Sequence, residues 1–375
     1  MIDTSSAGTK TENRFTQFCL RGLENIYIPS EHVFAASIQL VDGKMVHVRD
    51  RDLEFRFTMN TLMGLHRMRM QGAKVFLDIE SDYHGMEKQI EEHSNSPLDI
   101  AATVWTGRCL GTEVPPQALS SFRHLLNNAP QMRSLGPKAL AWSIAACLTG
   151  GTDDYRHALE LAKLAAQRYI HPVTGLVRQE PFGLRRNWSP FGAQSYMAFA
   201  FLFLARKTGN DWARNIGLRT ARKLVQLQGE NGQWAWMYHV PTGRVTDYYP
   251  VFSVHQYAYA PFFLLEAIGQ GYEEFRKPLV KGFRWILGQN EIGQSMVEPA
   301  RQIVWRRVIR KSADAKLTKL LRAIGTIYGG VKSGIKKAHD LDIDCQCWGF
   351  EMALPLVVFS GMNDFHEILD DKCFS

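Results

Sequence analysis

The sequence lacks a long apolar run. Its longest, around residues 197–205, is too short to cross a bilayer as a helix, which requires about 20 apolar residues. The first residues, MIDTSSAGTKTENRFTQF, also lack the basic segment followed by an apolar segment that is typical of a secretory signal. We therefore predict a soluble cytoplasmic protein, and we leave peripheral contact with the inner face of the membrane as an open alternative.

Cysteine is scarce and scattered. The chain has 6 cysteines in 375 residues, and a reducing compartment is the simpler environment for so few dispersed thiols. Cys345 and Cys347 form a C-x-C pair, but no second pair completes a zinc site. We predict that these two are buried core thiols and that the protein uses no metal and no cofactor.

Acidic residues are nearly missing from one segment, residues 301–337. The chain carries 44 Lys and Arg against 37 Asp and Glu, a net charge of +7, and Asp314 is the only acid in this segment. Such a segment can attract a polyanion or an anionic membrane surface, although a solvated basic surface explains it equally well. No motif for reading bases accompanies these charges, so we expect no nucleic-acid partner.

An internal repeat of about 60 residues is the most informative feature that is present. Each unit reads as an apolar helix, a short glycine-containing turn, an amphipathic helix and a turn with a central glycine. The central glycines are Gly175, Gly232 and Gly293. The first helix is apolar nearly all round, as a helix buried on both faces must be. The second has apolar residues at three- and four-residue spacing, which is typical of a helix facing solvent. Thr-Gly or Ile-Gly ends the first helices, where a glycine can adopt the left-handed C-cap.

The repeat predicts an all-α fold, an (α/α)6 toroid of helical hairpins. Further helices are predicted at 57–70, 99–109, 117–127, 317–327 and 345–359, which brings the total to about twelve. A closed ring buries every inner helix, whereas the alternative, an open helical array, would need polar end caps. We assign residues 56–375 to the toroid and residues 1–55 to an N-terminal extension. The extension contains a β-hairpin, because HVFAASIQLVDGKMVHVRD alternates around an Asp-Gly turn.

The loops that lead into the inner helices are expected to hold a ligand. Asp247 is the predicted acid, with Tyr249 and His255 as candidate proton donors or acceptors, although His255 could also be a core or capping histidine. The predicted substrate-binding residues are Arg185, Arg186, Trp188, Trp234, Trp236, Tyr238, Tyr248, Gln256, Trp305 and Arg306. Aromatic residues suit stacking on sugars or an isoprenoid pocket, with structural packing as the alternative. Arginine forks suit carboxylates and phosphates, as in a uronate or a pyrophosphate.

Other acids leave alternatives open. Glu180 and Glu298 are possible partners of Asp247, because glycoside hydrolysis needs two carboxylates about 5 to 9 Å apart. The aspartates of the segment DLDIDC are predicted to cap the last apolar helix, and the alternative is that they add acid groups at the mouth of the cavity. They are Asp340, Asp342 and Asp344.

Two resemblances extend this interpretation. The segment from Gln228 to Trp234, QGENGQW, resembles the Q-x-x-x-G-x-W repeat of squalene–hopene cyclases and related terpenoid-cyclase and prenyltransferase toroids, which implies the α/α toroid fold. Their D-x-D-D acid motif is broken here, since Cys345 stands at its last position. Residues 185–360, through WSPFGAQSY, GQWAWMYHVPTGRVTDYYPVFSVHQ, RWILGQNEIG and IVWRRVIRK, resemble proteins of bacterial surface-polysaccharide gene clusters. Those proteins look like six-hairpin glycosidases, epimerases or polysaccharide lyases in architecture.

The leading hypothesis is a carbohydrate-active enzyme of surface-polysaccharide biosynthesis or modification. It would bind a sugar chain or a lipid-linked sugar in the toroid cavity, and hydrolysis, elimination and epimerisation all remain open. One alternative is an isoprenoid cyclase or prenyltransferase, which an apolar cavity would support. The other is a non-catalytic toroid that only binds its ligand.

Overall fold

The computed structural model describes residues 13–311 and 338–375. Its α-helices, in chain order, are α1 Arg14–Glu24, α2 Arg51–Met70, α3 Ile79–Gly85, α4 Glu87–Glu92, α5 Pro97–Leu110, α6 Pro116–Asn127, α7 Ala129–Ser134, α8 Pro137–Gly150, α9 Tyr155–Tyr169, α10 Phe191–Thr208, α11 Asp211–Gln226, α12 Ala260–Ile268, α13 Arg276–Ile286, α14 Gly349–Phe359 and α15 His366–Leu369. A π-helical turn, His255–Tyr259, precedes α12.

Six helices of the described chain form an inner ring: α2, α5, α8, α10, α12 and α14. From α2 to α12 each packs against the next, the π-helical turn that leads into α12 packs against α14, and α14 packs against α2, so the ring is closed. Helices α6, α9, α11 and α13 lie outside the ring, each next to the inner helix that precedes it. The all-α toroid predicted from the repeat is therefore confirmed, in the closed form rather than as an open array.

The inner helices are buried because their sequences are apolar on all sides. In α10 every side chain from Phe199 to Ala205 is buried, and α14 is buried over most of its length. The outer helix α9 instead buries only a stripe that includes Ala158, Leu161 and Ala165. This contrast between the two helix types is the one that the repeat predicts.

The turn glycines behave as the repeat requires. Gly175, Gly232 and Gly293 all have positive φ, at 72°, 92° and 65°. Gly209 ends α10 in the left-handed conformation, as predicted for a helix C-cap. The same prediction is wrong at Gly150 and at Gly269. Gly150 is still part of α8, and the glycine that follows it is not in the left-handed helical region. Gly269 has a φ of −62°, because the chain there makes a further turn before it reverses at a later glycine.

The N-terminal segment contributes a hairpin and one helix. Strands Ser37–Val41 (β3) and Lys44–Val48 (β4) form the predicted hairpin, with Asp42 and Gly43 both at positive φ. Helix α1 packs against α14, and Asn13 Nδ2 donates to the Phe359 carbonyl at 3.2 Å. The first described helix thus lies on the last inner helix of the ring, and the boundary proposed at residue 55 stays a prediction.

Short strands carry the loops that precede the inner helices. Besides β3 and β4, they are β1 Tyr27–Ile28, β2 Val33–Phe34, β5 Trp188–Pro190, β6 Met237–His239, β7 Arg244–Asp247, β8 Val251–Phe252, β9 Val297–Glu298, β10 Ile303–Val304, β11 Arg307–Arg310, β12 Leu341–Asp344 and β13 Gln346–Trp348. They form antiparallel sheets in the orders β5-β6-β7, β12-β11-β8 and β13-β3-β4, and two pairs, β1-β2 and β9-β10. Since β5, β8 and β13 run directly into or just before inner helices, these sheets lie at the end of the ring where the inner helices begin.

The C-terminal region differs from the prediction in two places. The helix expected at 345–359 begins at Gly349, because residues before it pair with β3 as strand β13. The aspartates expected to cap that helix do not do so. Asp342 and Asp344 belong to β12, which pairs with β11, and Asp340 ends a 3-10 turn before it. The helix predicted at 317–327 lies outside the described residues.

Two further findings concern the described residues alone. All six cysteines are free thiols; Cys347 is buried as predicted, whereas Cys345 is half-buried. No helix of the described ranges has the length and apolar character needed to cross a membrane.

Candidate functional site

A cavity of about 290 Å³ opens where the inner helices begin. Helices α8, α10 and α14 each contribute residues of their first or second turn to its wall, and the π-helical turn before α12 contributes two more. Three of the predicted site residues line it, and they are Trp236, His255 and Arg306. Because helix N-termini point their free N–H groups toward this space, the wall carries a positive potential before any side-chain charge is counted.

Glu351 is the most unusual group in this wall. It lies in the first turn of α14 with no exposed surface, and its Oε2 atom accepts a hydrogen bond from the Trp348 N–H at 3.2 Å. Burial raises the pKa of its carboxyl to about 7, although the neighbouring Arg306 guanidinium lowers it. A carboxyl with a pKa near neutrality can give and take a proton under ordinary conditions, which is the requirement for general acid–base catalysis.

Arg306 faces Glu351 across the cavity wall. Its Nε atom lies 3.5 Å from Glu351 Oε1, and its Cζ atom lies 3.4 Å from the centroid of the Trp348 ring. The backbone is fixed on both sides, since Arg306 N–H donates to the Gln346 carbonyl and Ser253 N–H donates to the Arg306 carbonyl, both at 2.8 Å. A guanidinium held over an aromatic ring keeps its charge and its donors directed into the cavity.

His255 is buried within a stack of aromatic rings. Its ring lies parallel to Trp236, with centroids 6.2 Å apart at 6°, and 5.4 Å from the ring of Tyr259. Burial, followed by the charge of Arg306, lowers its pKa to about 3. The imidazole is therefore neutral at pH 7, and its Nδ1 atom has no hydrogen-bond partner among the described residues. It can accept or donate one hydrogen bond, but it adds no charge to the site.

Lys138 places a second cation at the opposite wall. It lies in the first turn of α8, with its Nζ atom 4.6 Å from the Trp142 ring centroid and 5.6 Å from that of Tyr196. Burial lowers the pKa of its ammonium group to about 8, and the charge of Arg56 acts in the same direction. The aromatic faces attract the ammonium group and so offset part of the hydration that it loses on burial, while the group can still bind an anion.

Two tyrosines complete the wall between these cations. Tyr196 and Tyr259 share a side-chain hydrogen bond, and their ring centroids are 5.0 Å apart. Burial raises the pKa of Tyr196 and brings that of Tyr259 to about 12. Both phenols are therefore protonated at neutral pH, so they serve as hydrogen-bond donors rather than as bases.

Asp247, the acid predicted from the sequence, is held elsewhere and does not line the cavity. Its carboxylate faces the Arg310 guanidinium through two contacts, at 2.5 and 3.2 Å, and it accepts the Tyr249 N–H at 3.1 Å. Tyr249 in turn is buried and donates to Glu291 at 3.4 Å. These contacts join the loop after β7 to β11, which gives Asp247 and Tyr249 a structural position rather than one at the cavity.

The predicted partner acids lie apart as well. Glu180 is exposed, and Glu298 lies 3.6 Å from Arg301 in an ion pair. Asp344 pairs with Arg307 at 2.7 Å. None of these three carboxylates lines the cavity.

Several predicted binding residues hold the fold of the loops. The side-chain oxygen of Gln256 accepts the Trp234 N–H at 3.3 Å, just as that of Gln194 accepts the Val177 N–H at 2.8 Å one repeat earlier. Trp234 and Tyr238 are fully buried. These residues stabilise the turns that deliver Trp236 to the cavity, so the repeat explains them without a ligand.

The remaining predicted residues lie at the surface or in its packing. Arg185 and Arg186 are exposed, and Trp188 is half-buried against the ring of His239. Tyr248 is half-buried. Trp305 is buried, and its carbonyl accepts the Ser253 hydroxyl at 2.5 Å. None of these side chains lines the cavity.

Sequence reasoning missed Lys138, Tyr196 and Glu351 as site residues. A signal existed for two of them, since Lys138 and Glu351 are charged residues in the first turns of apolar inner helices, GPKALAW and GFEMALPLVVF. A charge in such a position is costly unless it has a partner or a function. Among the described residues, no group of three or more His, Cys, Asp or Glu is placed to hold a metal ion.

Comparison with known proteins places the fold. No family model and no curated protein matches the sequence. An unsaturated glucuronyl hydrolase specific for heparin is similar in structure, with a TM-score of 0.61 at 11% identity over 96% of this chain and 98% of that one. An α-1,6-mannanase of a Salegentibacter species, solved with α-1,6-mannotriose, gives 0.56 at 10% identity over 92% and 98%. The Lin0763 protein of Listeria innocua gives 0.57 at 10% identity over 92% and 95%. The chain thus has the α/α-toroid fold of six-hairpin glycosidases.

Proposed function

We propose that this protein is a carbohydrate-active enzyme that binds an acidic sugar in the cavity at the N-terminal ends of its inner helices. The observation that carries the proposal is Glu351, a fully buried carboxyl in the wall of an open cavity with a pKa of about 7. Buried carboxyl groups with pKa values shifted toward neutrality are concentrated at catalytic sites. Glu351 is the proton donor and acceptor in this proposal.

The walls suit a sugar ring. Trp236, Tyr259 and Phe350 present aromatic surface to the cavity, while Lys138 and Arg306 present donors. Sugars combine apolar ring faces with polar edges, so a wall of this composition matches them in both respects. The similar structures of a glucuronyl hydrolase and of a mannanase solved with a manno-oligosaccharide support a carbohydrate ligand.

The charges favour an acidic sugar over a neutral one. Lys138 and Arg306 are two cations, and Glu351 is the one carboxylate among the lining residues of the described chain. A carboxylate on the sugar would pair with these cations without displacing Glu351. The hydrolytic pattern with two carboxylates is not assembled by the described lining, which favours elimination or epimerisation next to the sugar carboxylate. In both reactions Glu351 would take the proton of the adjacent carbon.

The isoprenoid alternative is less well supported by the same wall. A cavity for a hydrocarbon should be apolar, whereas this one holds a lysine, an arginine and a glutamate. The non-catalytic alternative predicts a bound sugar without turnover, which the experiment below distinguishes.

We further propose a role in surface-polysaccharide biosynthesis or modification in the cytoplasm. The resemblance over residues 185–360 supports this role, and a lipid-linked sugar is then a candidate form of the substrate. Peripheral contact with an anionic membrane through residues 301–337 belongs to the same proposal. In the described part of that segment, Arg301, Arg306, Arg307 and Arg310 each pair with a carboxylate. Sedimentation with anionic vesicles at low and high salt tests the contact, which must weaken with salt.

The function is tested in two steps. A thermal-shift screen against acidic and neutral oligosaccharides identifies the ligand, because a ligand that binds the native state raises the melting temperature. Turnover of the ligand is then measured with Glu351→Gln and Asp247→Asn, following unsaturated product by ultraviolet absorbance and epimerised product by NMR. We expect Glu351→Gln to lower kcat by about 100-fold or more with binding retained, and Asp247→Asn to leave kcat within about threefold.

The outcomes separate the hypotheses. Stabilisation only by prenyl diphosphates would support the isoprenoid alternative. Binding of an oligosaccharide to the wild-type protein without any product would support the non-catalytic toroid. Loss of turnover in Asp247→Asn but not in Glu351→Gln would show that Asp247, the acid indicated by the sequence, is the catalytic acid instead of Glu351.

A further inference from the structure

A second cavity, of about 240 Å³, lies at the opposite end of the ring. Its lining comes from the C-terminal halves of α2, α5 and α14, whereas the first cavity is lined by helix beginnings. The two cavities share no lining residue. We call this second space the far cavity.

A layer of aromatic rings separates the two cavities inside the ring. The Trp142 centroid lies 6.2 Å from Trp105 and 5.7 Å from Tyr196. Phe262 continues the layer, 6.3 Å from Tyr196 and 5.2 Å from Phe199. Since Tyr196 lines the first cavity and Phe199 lines the far cavity, the two spaces meet the same helix about one turn apart.

Arg67 is the feature of the far cavity that calls for a ligand. It lines the cavity from the last turns of α2 and forms no hydrogen bond or ion pair with any described residue. Its position contrasts with that of Arg69 on the same helix, which pairs with Glu80. An arginine facing an apolar space without a partner carries an unmet desolvation cost.

Burial lowers the pKa of the Arg67 guanidinium, and the charge of Glu266 offsets this only in part. Glu266 is already paired with Arg206 through a charge-assisted hydrogen bond. Burial raises the pKa of the Cys109 thiol to about 11 and lowers that of His66, so both are neutral at pH 7. Arg67, Arg206 and Glu266 together therefore carry one net positive charge, and an anion beside Arg67 would balance it.

Apart from Gln71, the rest of the wall is apolar. Met63, Leu265, Val357 and three rings of the aromatic layer surround the space that the Arg67 side chain borders; these rings are those of Trp105, Phe199 and Phe262. An apolar cavity of about 150 Å³ in a protein is large enough to bind benzene, so a cavity of this size can take up a small hydrocarbon group. The far cavity thus combines one cation with room for a short hydrocarbon group.

We propose that the far cavity binds an amphipathic anion, with a carboxylate or phosphate monoester head paired with Arg67 and one short apolar chain among the aliphatic and aromatic walls. The ligand is recognised by its charge and its chain together. This site is independent of the carbohydrate site, because the aromatic layer and a different set of residues separate them.

Isothermal titration of the full chain tests the proposal with matched probes. Decanoate and decyl phosphate carry both chain and charge, decanol carries the chain alone, and acetate and inorganic phosphate carry the charge alone. We expect the two amphipathic anions to bind at least about tenfold more tightly than decanol, since a hydrogen-bonded ion pair is stronger than a neutral contact. The stronger of the two anions identifies the head group.

Variants on helix α2 assign the binding to Arg67. Arg67→Gln should bring decanoate to the affinity of decanol, and Arg67→Lys should retain part of the difference. Arg69→Gln is the matched control, since it removes an arginine two positions away that does not line the cavity and should leave binding unchanged. Equal binding of decanol and decanoate, no binding of either anion, or an unchanged preference in Arg67→Gln would each overturn the proposal.

Discussion

The Oε1 atom of Glu351 lies 3.5 Å from the Nε atom of Arg306, and neither atom has a hydrogen-bond partner among the described residues. The two groups reach this position from different elements, a helix start and the link between two strands. In an ordinary ion pair the pKa of the acid falls and that of the base rises. Here burial does the reverse, because it raises the pKa of Glu351 and lowers the pKa of Arg306. The Glu351 carboxyl is therefore poised between its ionised and neutral forms near pH 7, and a ligand with its own charge would shift this balance.

The pH dependence of folding should report this state. Glu351 has a pKa of about 7 in the folded protein and an ordinary value of 4.5, so the folded state holds its proton over the interval between them. The contribution of Glu351 to stability is full below the lower value and is lost as the pH rises through 7, by up to about 3 kcal/mol. We therefore expect the melting temperature of Glu351→Gln, measured relative to that of the wild type at the same pH, to rise as the pH is increased from 5 to 8. A difference between the two proteins that does not change with pH would contradict the shifted pKa.

Lys138 should decide between acidic and neutral sugars. Its ammonium group lies over two aromatic rings and can pair with an anion in the cavity. We expect Lys138→Met to weaken binding of an acidic oligosaccharide by about tenfold or more and to change binding of the neutral analogue much less. Lys163→Met on the exposed face of an outer helix is the control. Equal losses for both sugars would mean that Lys138 acts through the packing of the wall.

Asp247 should matter for stability rather than for chemistry. Its carboxylate and the Arg310 guanidinium are both largely buried and make two contacts. Replacing the carboxylate by a neutral amide removes the charge that faces Arg310 in this contact, so we expect Asp247→Asn to lower the free energy of unfolding by about 1–3 kcal/mol. Denaturant unfolding measures this loss. Wild-type stability in Asp247→Asn would show that the contact with Arg310 contributes nothing.

The ring could be predicted from the sequence because its signal is local and repeated. Each unit places an apolar helix before an amphipathic one and a glycine in the following turn, and a pattern of three units fixes the hairpin without any long-range information. The least accurate part was the last inner helix. There Gln346 to Trp348 alternate as a strand that pairs with β3 more than 300 positions earlier, and periodicity cannot detect such a partner.

The candidate site was harder to predict because the ring assembles it from distant helix starts. Lys138 and Glu351 come from α8 and α14, and nothing in the local sequence indicates that they share a cavity. The loop residues Asp247 and Tyr249 attracted attention through their chemistry, but their contacts are with Arg310 and Glu291. The charged residues that reach the cavity therefore differ from the loop residues in being buried with few hydrogen-bond or ion-pair partners.

The turn glycines offer a prediction with a control inside the repeat. Gly232 and Gly293 occupy corresponding turns and both have positive φ, at 92° and 65°, so alanine is strained at either position. They differ in their surroundings, because a Cβ atom at Gly232 would lie 2.2 Å from the Lys281 carbonyl oxygen, whereas one at Gly293 would meet nothing within 4 Å. The Gln228 side chain fixes the first turn further by donating to the Gly232 carbonyl at 2.8 Å and to that of Pro278 at 3.0 Å.

We expect Gly293→Ala to cost about 1–2 kcal/mol of unfolding free energy from backbone strain alone, and Gly232→Ala to cost clearly more, since backbone must move as well. Denaturant unfolding of the two variants measures both values. Equal costs would mean that the turn after α11 can move away from α13 and that the Q-x-x-x-G-x-W segment does not lock the two helices together.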